Sequence, residues 1–205
     1  MEEFRVLGGS GGVPYALACA YALSEGMLKG TGVLAGLGPP ESDHKGLSWE
    51  RWIGFTINRW VPASMLHFIV ERGLAKHARN ADQTRWRKII VDVMVKSMTA
   101  EDQALITEEE IETMIAGIRG AYLSGSEGYV LDAKNVLGAW PFRLEDIKGE
   151  VRLWCGTQDT DTPVGMARWM AERLQGGGLI EFPGDTHFSV FSRRREEVLR
   201  KLVGM

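Results

Sequence analysis

With 205 residues, 44% of them apolar and 25% charged, the chain has the balance of an ordinary globular protein rather than a disordered one. Its length suits one compact domain with room for an inserted subdomain. The formal net charge of −3 gives no electrostatic ground for a nucleic-acid partner or for attraction to an anionic membrane.

Taken in chain order, residues 4–7 form a short apolar run that ends in glycines and reads as a buried strand. Residues 11–23 follow as a helix of small residues, with Val13, Leu17, Ala18 and Tyr21 at helical spacing. Residues 30–37, GTGVLAGL, are a second strand, ended by Gly38-Pro39-Pro40. Strand, helix, strand is a βαβ unit, so the two strands are expected to run parallel. From residue 41 to 138 only helical periodicity is found. Ser48 can cap a helix running to about residue 72, broken or kinked at Pro62. Residues 86–98 are a second amphipathic stretch, and Thr107-Glu108-Glu109-Glu110 is a capping box that opens a third. The α/β alternation then returns. Residues 151–155 read as a strand. Thr162-Pro163 is a helix start, a capping hydroxyl followed by proline at the first position. Residues 179–182 are a last strand and residues 190–202 a last helix. The expected fold class is α/β: a mostly parallel sheet with helices on both faces, residues 1–40 and 139–205 making the core and residues 41–138 an inserted helical unit.

Gly8-Gly9-Ser10-Gly11-Gly12 sits between the first strand and the first helix. It matches G-x-S-x-G, the nucleophile elbow, in the strand–turn–helix setting that motif requires. The turn strains its central residue. Gly8 and Gly12 are expected to let strand and helix approach without a Cβ clash. Ser10 is then presented above the sheet, and the Gly11 N–H at the helix start points where a tetrahedral oxyanion would form. Two other glycine-rich readings fail. A Walker loop needs a lysine after the glycines, and none occurs before Lys29. A dinucleotide fingerprint wants glycine or alanine where Pro14 stands, and an acid where the second strand instead ends in Gly36-Leu37-Gly38-Pro39.

A serine hydroxyl needs a base to take its proton. His44, His67 and His77 fall in the helical segment and read as solvated or helix-terminal residues. His187 follows the last strand, on a loop at the sheet edge where α/β active sites form. The acid that orients the imidazole has two candidates after the 151–155 strand, Asp159 and Asp161. Asp161 is closer to the next helix start and suits a near-cap role. Asp185 is too close to His187 in sequence to be the first choice. The chain order is serine, aspartate, histidine.

These residues resemble the α/β-hydrolase superfamily, in particular its lid-bearing lipase-like and proline-iminopeptidase-like serine hydrolases. The likeness is carried by VLGGSGGVPYALACA around Ser10, PFRLEDIKGEVRLWCGTQDTDTPV around Asp159 and FPGDTHFSVF around His187. In the family the acid loop reads glycine, two residues, aspartate, then proline four later. Gly156, Asp159 and Pro163 meet that pattern and favour Asp159. Glycine, two residues, histidine is met by Gly184 and His187. The resemblance implies that residues 41–138 are the family's cap. It also implies that roughly eighty or more residues precede the elbow, supplying further strands and the loop with a second oxyanion donor. The chain is therefore expected to be the C-terminal part of such a hydrolase, weakly active alone, with self-association through its exposed first strand.

The expected function is a serine hydrolase acting on a small ester, lactone or amide, with Trp52 and Trp60 among the aromatic residues that suggest an apolar substrate pocket. The alternative is a catalytically silent fragment with a binding or structural role. A serine at the elbow argues against the epoxide hydrolase and haloalkane dehalogenase branches, where the resemblance implies aspartate. The chemistry needs no cofactor and no metal. Cys19 and Cys155 lie in neither a CxxC nor a metal-type spacing and read as small buried hydrophobes. No apolar run approaches a membrane span, so no stable membrane insertion is expected. Met1-Glu2-Glu3-Phe4 lacks the basic start and apolar core of a signal peptide, and a cytoplasmic setting is expected.

Overall fold

The structure, a computed structural model, describes residues 3–96 and 98–204. Met1 and Glu2, where the N-terminal segment was read, lie outside the described residues, as does Ser97 within the expected 86–98 helix. Among the described residues four strands form one parallel sheet in the order β1 (Phe4–Gly9), β2 (Leu28–Leu34), β3 (Val151–Gly156), β4 (Leu179–Phe182). The helices are α1 (Val13–Ala22), α2 (Trp49–Trp60), α3 (Ala63–Val70), α4 (Lys76–Ala78), α5 (Thr84–Ile90), α6 (Ala100–Leu105), α7 (Glu108–Ala121), α8 (Glu127–Leu137), α9 (Val164–Ala171) and α10 (His187–Val203). The chain divides into two compact units. One comprises the residues up to Trp52 and those from Gly138 on; the other is Ile53–Leu137.

The first unit is the sheet with its helices. β2 and β3 are buried along nearly their whole length because both their faces are covered, as parallel sheets require. On one face Val33, Leu153 and Cys155 pack with Val13 and Leu17 of α1, Ile147 and Met170 of α9. On the other, Leu34, Trp154 and Phe182 pack with Val190, Val198 and Leu202 of α10. The register aligns Gly9 with Leu34, Leu34 with Trp154 and Trp154 with Ile180. All four strands therefore end at one edge of the sheet. β2 stops short of the expected residue 37. Ala35 takes a left-handed φ of 45°, which turns the chain out of the strand.

The second unit holds a core of Leu66, Val70, Ala75, Ala78, Trp86, Ile90, Ile115, Tyr122 and Val130. Trp86 is fully buried; its indole N–H donates to the Ile115 carbonyl at 3.3 Å and its ring meets Tyr122 edge-on. Pro62 separates α2 from α3, as its lost N–H and fixed φ dictate. The capping box is present: the Thr107 hydroxyl accepts from Glu110 N, and Glu110 Oε2 accepts from Thr107 N. Two single π turns, Glu71–Ala75 and Val91–Val95, interrupt the α-helical runs. The solvated reading is corrected for His77, whereas His67, in the last turn of α3 with its side chain 40% exposed, fits the helix-terminal one. His77 is buried, and that burial lowers its pKa, with Arg85 and Lys76 adding to it. His67 Nδ1 lies 2.7 Å from the hydroxyl of fully buried Ser126. Among the described residues no helix is long and apolar enough to cross a membrane.

One cation is placed to hold this unit together. Lys134 of α8 donates its ammonium to the carbonyls of Asn58 at 2.7 Å, Arg59 at 3.1 Å and Val61, satisfying acceptors that the end of α2 leaves open. Lys134→Met is expected to destabilise the second unit by about 1–2 kcal/mol, since it leaves those carbonyls short of a charged donor. Chemical denaturation of the two proteins checks this. An unchanged midpoint would mean that water replaces the ammonium at no cost.

Candidate active site

The site is built at the edge where the strands end. β1 runs into one 3-10 turn, Ser10–Gly12, and then into α1. Ser10 has a φ of 51°, a setting that costs a non-glycine residue about 1–3 kcal/mol and persists where the surroundings impose it. They do so here. A Cβ on Gly8 would meet Ala16 Cβ at 2.7 Å and the Gly12 carbonyl at 2.9 Å, so strand and helix close up only over a glycine. The similar crowding expected at Gly12 is absent: a Cβ there has nothing within 4 Å. The second crowded position is Gly9, where a Cβ would meet the Phe191 ring at 2.8 Å.

His187 does not sit on a loop as expected. It is the first residue of α10. Thr186 caps that helix, its hydroxyl accepting from Ser189 N while the Ser189 hydroxyl accepts from Thr186 N. Asp185, buried and one residue earlier, accepts from the Ser189 hydroxyl at 3.0 Å and from Arg194 Nε at 2.7 Å. Its carboxylate thus anchors the first turns of α10. Phe191, one turn beyond His187, meets the imidazole edge-on with ring centroids 5.5 Å apart.

Asp159 follows β3 and its carboxylate is wholly buried. A buried carboxylate must be fully hydrogen-bonded, and this one is. Oδ1 accepts from the backbone N–H of Asp161 and of Thr162, each at 2.8 Å. Oδ2 lies 2.8 Å from the Thr162 hydroxyl and 2.8 Å from His187 Nδ1. On the far side of the ring, His187 Nε2 lies 3.1 Å from Ser10 Oγ. The carboxylate has no proton to give, so Nδ1 carries the hydrogen and Nε2 is left as an acceptor for the serine hydroxyl. The structure thus brings together Ser10, Asp159 and His187. Asp161, the competing acid, is held elsewhere in a two-point pair with Arg51, Nε to Oδ1 at 2.9 Å and Nη2 to Oδ2 at 2.6 Å. That hydrogen bond holds the Arg51 guanidinium above its ordinary pKa against the opposing effect of burial. The Ser48 N–H donates to the Thr160 carbonyl at 3.0 Å and further fixes the acid loop.

Gly11 follows Ser10 within the 3-10 turn, at the entrance to α1. Trp52 and Trp60 lie on α2 and are 58% and 72% exposed, so neither is a core residue. Cys155 is fully buried in β3, and burial pushes its thiol up to about 12, which removes it as a rival nucleophile. Cys19 is only partly buried, unlike the reading given to it from sequence. Among the described residues no group of three or more His, Cys, Asp or Glu side chains is placed to hold a metal ion. A cavity of about 620 Å³ lies at the opposite ends of the strands, lined by Tyr21, Glu25, Leu28, Thr31, Lys148 and Glu150, away from the serine and imidazole.

No family model matches the sequence, and no curated protein matches it. Solved structures do. An α/β-hydrolase enzyme from a Medee basin deep-sea metagenome library superposes with a TM-score of 0.62 at 15% identity, over 99% of this chain and 66% of its own. An esterase from Exiguobacterium antarcticum gives 0.59 at 16% identity, over 100% and 66%. The enol-lactonase from Burkholderia xenovorans LB400 gives 0.57 at 16%, over 99% and 66%. The chain spans just under two thirds of the length of these proteins. Its parallel sheet, with helices on both faces, has the α/β-hydrolase fold.

Proposed function

We propose that this chain carries the catalytic triad of a serine hydrolase that cleaves a carboxylic ester, lactone or amide through an acyl-enzyme. The observation that supports it is one continuous line of contacts, Ser10 Oγ to His187 Nε2 at 3.1 Å and His187 Nδ1 to Asp159 Oδ2 at 2.8 Å, starting from a serine on a strained strand–helix turn. The fold's occurrence in esterases and an enol-lactonase supports the same reaction class.

In this reading Ser10 Oγ attacks the carbonyl carbon as His187 Nε2 takes its proton. The resulting oxyanion is met by the Gly11 N–H, a fixed donor at a helix start. Asp159 keeps Nδ1–H in place and stabilises the imidazolium. The carbon–leaving-group bond then breaks, and the proton on Nε2 passes to the departing oxygen or nitrogen. Water, deprotonated by the same Nε2, releases the acid and restores Ser10. No metal or cofactor enters these steps.

Incubation of the chain with a fluorophosphonate, followed by peptide mass spectrometry, tests the assignment. The phosphonyl adduct is expected on Ser10 and on no other serine. An adduct elsewhere sinks it, and no adduct at all sinks it and favours a silent fold.

Trp52 and Trp60 are proposed as apolar contacts for the acyl or leaving group. Trp52→Ala and Trp60→Ala are then expected to change relative rates across a series of p-nitrophenyl esters of rising chain length by about 3–10-fold, the worth of one to a few methylene contacts. Identical profiles in folded variants would leave both rings without a role in substrate choice.

A further inference from the structure

Thr162 stands where the sequence pattern calls for a helix cap, yet its hydroxyl does not cap α9. Pro163 occupies the N-cap position, where it makes no side-chain hydrogen bond to the first turn. The Thr162 hydroxyl is instead turned into the site. Its oxygen lies 2.8 Å from Asp159 Oδ2, 3.0 Å from the Ala35 carbonyl oxygen and 3.2 Å from His187 Nδ1, and the residue is 4% exposed.

A hydroxyl has one proton to give and two lone pairs to receive. Asp159 Oδ2 and the Ala35 carbonyl are both acceptors and compete for that proton. With His187 neutral, the carboxylate wins, since a charge-assisted bond is the stronger one. The Nδ1–H shares that Oδ2 throughout, and its pull strengthens once Nε2 takes a proton and the imidazole is charged. Rotation about the Thr162 Cβ–Oγ bond then sends the hydroxyl proton to the Ala35 carbonyl and leaves Oδ2 to the imidazolium. The alternative acceptor belongs to the one residue near the site, besides Ser10, that holds a left-handed φ without being glycine. Backbone strain of that kind survives where something depends on it.

We propose that Thr162 is a positioning residue of the triad: its hydroxyl fixes the Asp159 carboxylate in the plane that receives His187 Nδ1–H and hands its proton between Asp159 and the Ala35 carbonyl as the imidazole charges and discharges. This rests on the reading of Ser10, His187 and Asp159 given above. Methyl and hydroxyl separate the structural from the positioning role. Thr162→Val keeps the volume and removes the hydroxyl; Thr162→Ser keeps the hydroxyl and removes the methyl.

The full chain and both variants are assayed with p-nitrophenyl acetate and by the rate of fluorophosphonate labelling, with Ser10→Ala as control and thermal melting to show that each is folded. Thr162→Val is expected to lower kcat and the labelling rate by about 10–100-fold with KM within about twofold, because misplacing a catalytic group acts on the chemical step. Thr162→Ser is expected to restore both to within about threefold. The low-field proton resonance of the imidazole Nδ1–H is expected to move in Thr162→Val and to return in Thr162→Ser. Full activity in Thr162→Val, equal impairment in Thr162→Ser, or an unmoved resonance each overturns the inference. Turnover and labelling that survive Ser10→Ala overturn the triad reading itself, whatever the Thr162 variants do.

Discussion

Replacing Ser10 with alanine is expected to reduce turnover of a short p-nitrophenyl ester by about 10⁶-fold relative to the unaltered chain, the loss seen when a triad serine is removed from a serine protease. The size follows from what the side chain does. In the proposed reaction its oxygen is the atom that bonds to the substrate, and it lies 3.1 Å from His187 Nε2. Alanine at this position keeps the left-handed turn at comparable strain, because alanine and serine share a Cβ. The fold should therefore persist and the loss should fall on chemistry alone. A residue of catalysis remains in principle from backbone donors and substrate binding, about 10³–10⁴ over water in the protease case, so the variant need not fall to the uncatalysed rate. Turnover, burst amplitude and melting temperature measured on both proteins decide the matter. A variant within about tenfold of the unaltered chain would falsify the assignment, since no nucleophile can be removed at so small a cost.

The three residues that meet at the candidate site were legible because each sits in a segment whose backbone demands are local. A glycine-flanked serine between strand and helix, an aspartate four before a proline, and a histidine three after a glycine are all patterns of a few residues. Their meeting then follows from one property of the fold, that parallel strands end at a common edge. What stayed hidden depends on which distant side chain fills a space. Gly9 reads as a free position in the motif, but Phe191 of α10 occupies the room its side chain would take and braces the imidazole from the same ring. Thr162-Pro163 carries every local mark of a helix cap, yet Pro163 takes the N-cap position and the Thr162 hydroxyl is turned to Asp159 and the Ala35 carbonyl, because a buried carboxylate needs every donor within reach. The early end of β2 rests on Ala35 holding a left-handed φ, which no propensity of alanine announces. α6 and α8 lacked a strong apolar period and passed unread, as did the burial of His77, which is set by the core of the second unit.

Asp159→Asn is expected to lower turnover by about 10⁴-fold, and Asp161→Asn by less than about tenfold, though only two residues separate them. The difference lies in their partners. Asp159 takes four donors in a wholly buried place, two from backbone N–H groups, one from Thr162 and one from His187. Asparagine has one oxygen for those four and an NH₂ that faces a donor whichever way it turns. If the oxygen serves the two backbone N–H groups, the NH₂ meets Nδ1. The imidazole must then shift its hydrogen to Nε2, and the nitrogen that should take the Ser10 proton already carries one. Asp161 has no such duty. Its carboxylate faces Arg51, with the two side chains 31% and 41% exposed, a setting in which an ion pair is worth about 1 kcal/mol or less. Its contribution to the site is its backbone N–H, donated to Asp159 Oδ1 at 2.8 Å, and the substitution leaves that in place. Loosening of the acid loop through the lost Arg51 pair is the remaining effect, so Arg51→Gln should reproduce the modest loss of Asp161→Asn. The three variants, assayed for kcat and KM on one ester with folding checked by thermal melting, separate the roles. If Asp161→Asn proves the crippling change and Asp159→Asn the mild one, the acid has been assigned to the wrong residue, and the buried carboxylate serves only to hold the loop.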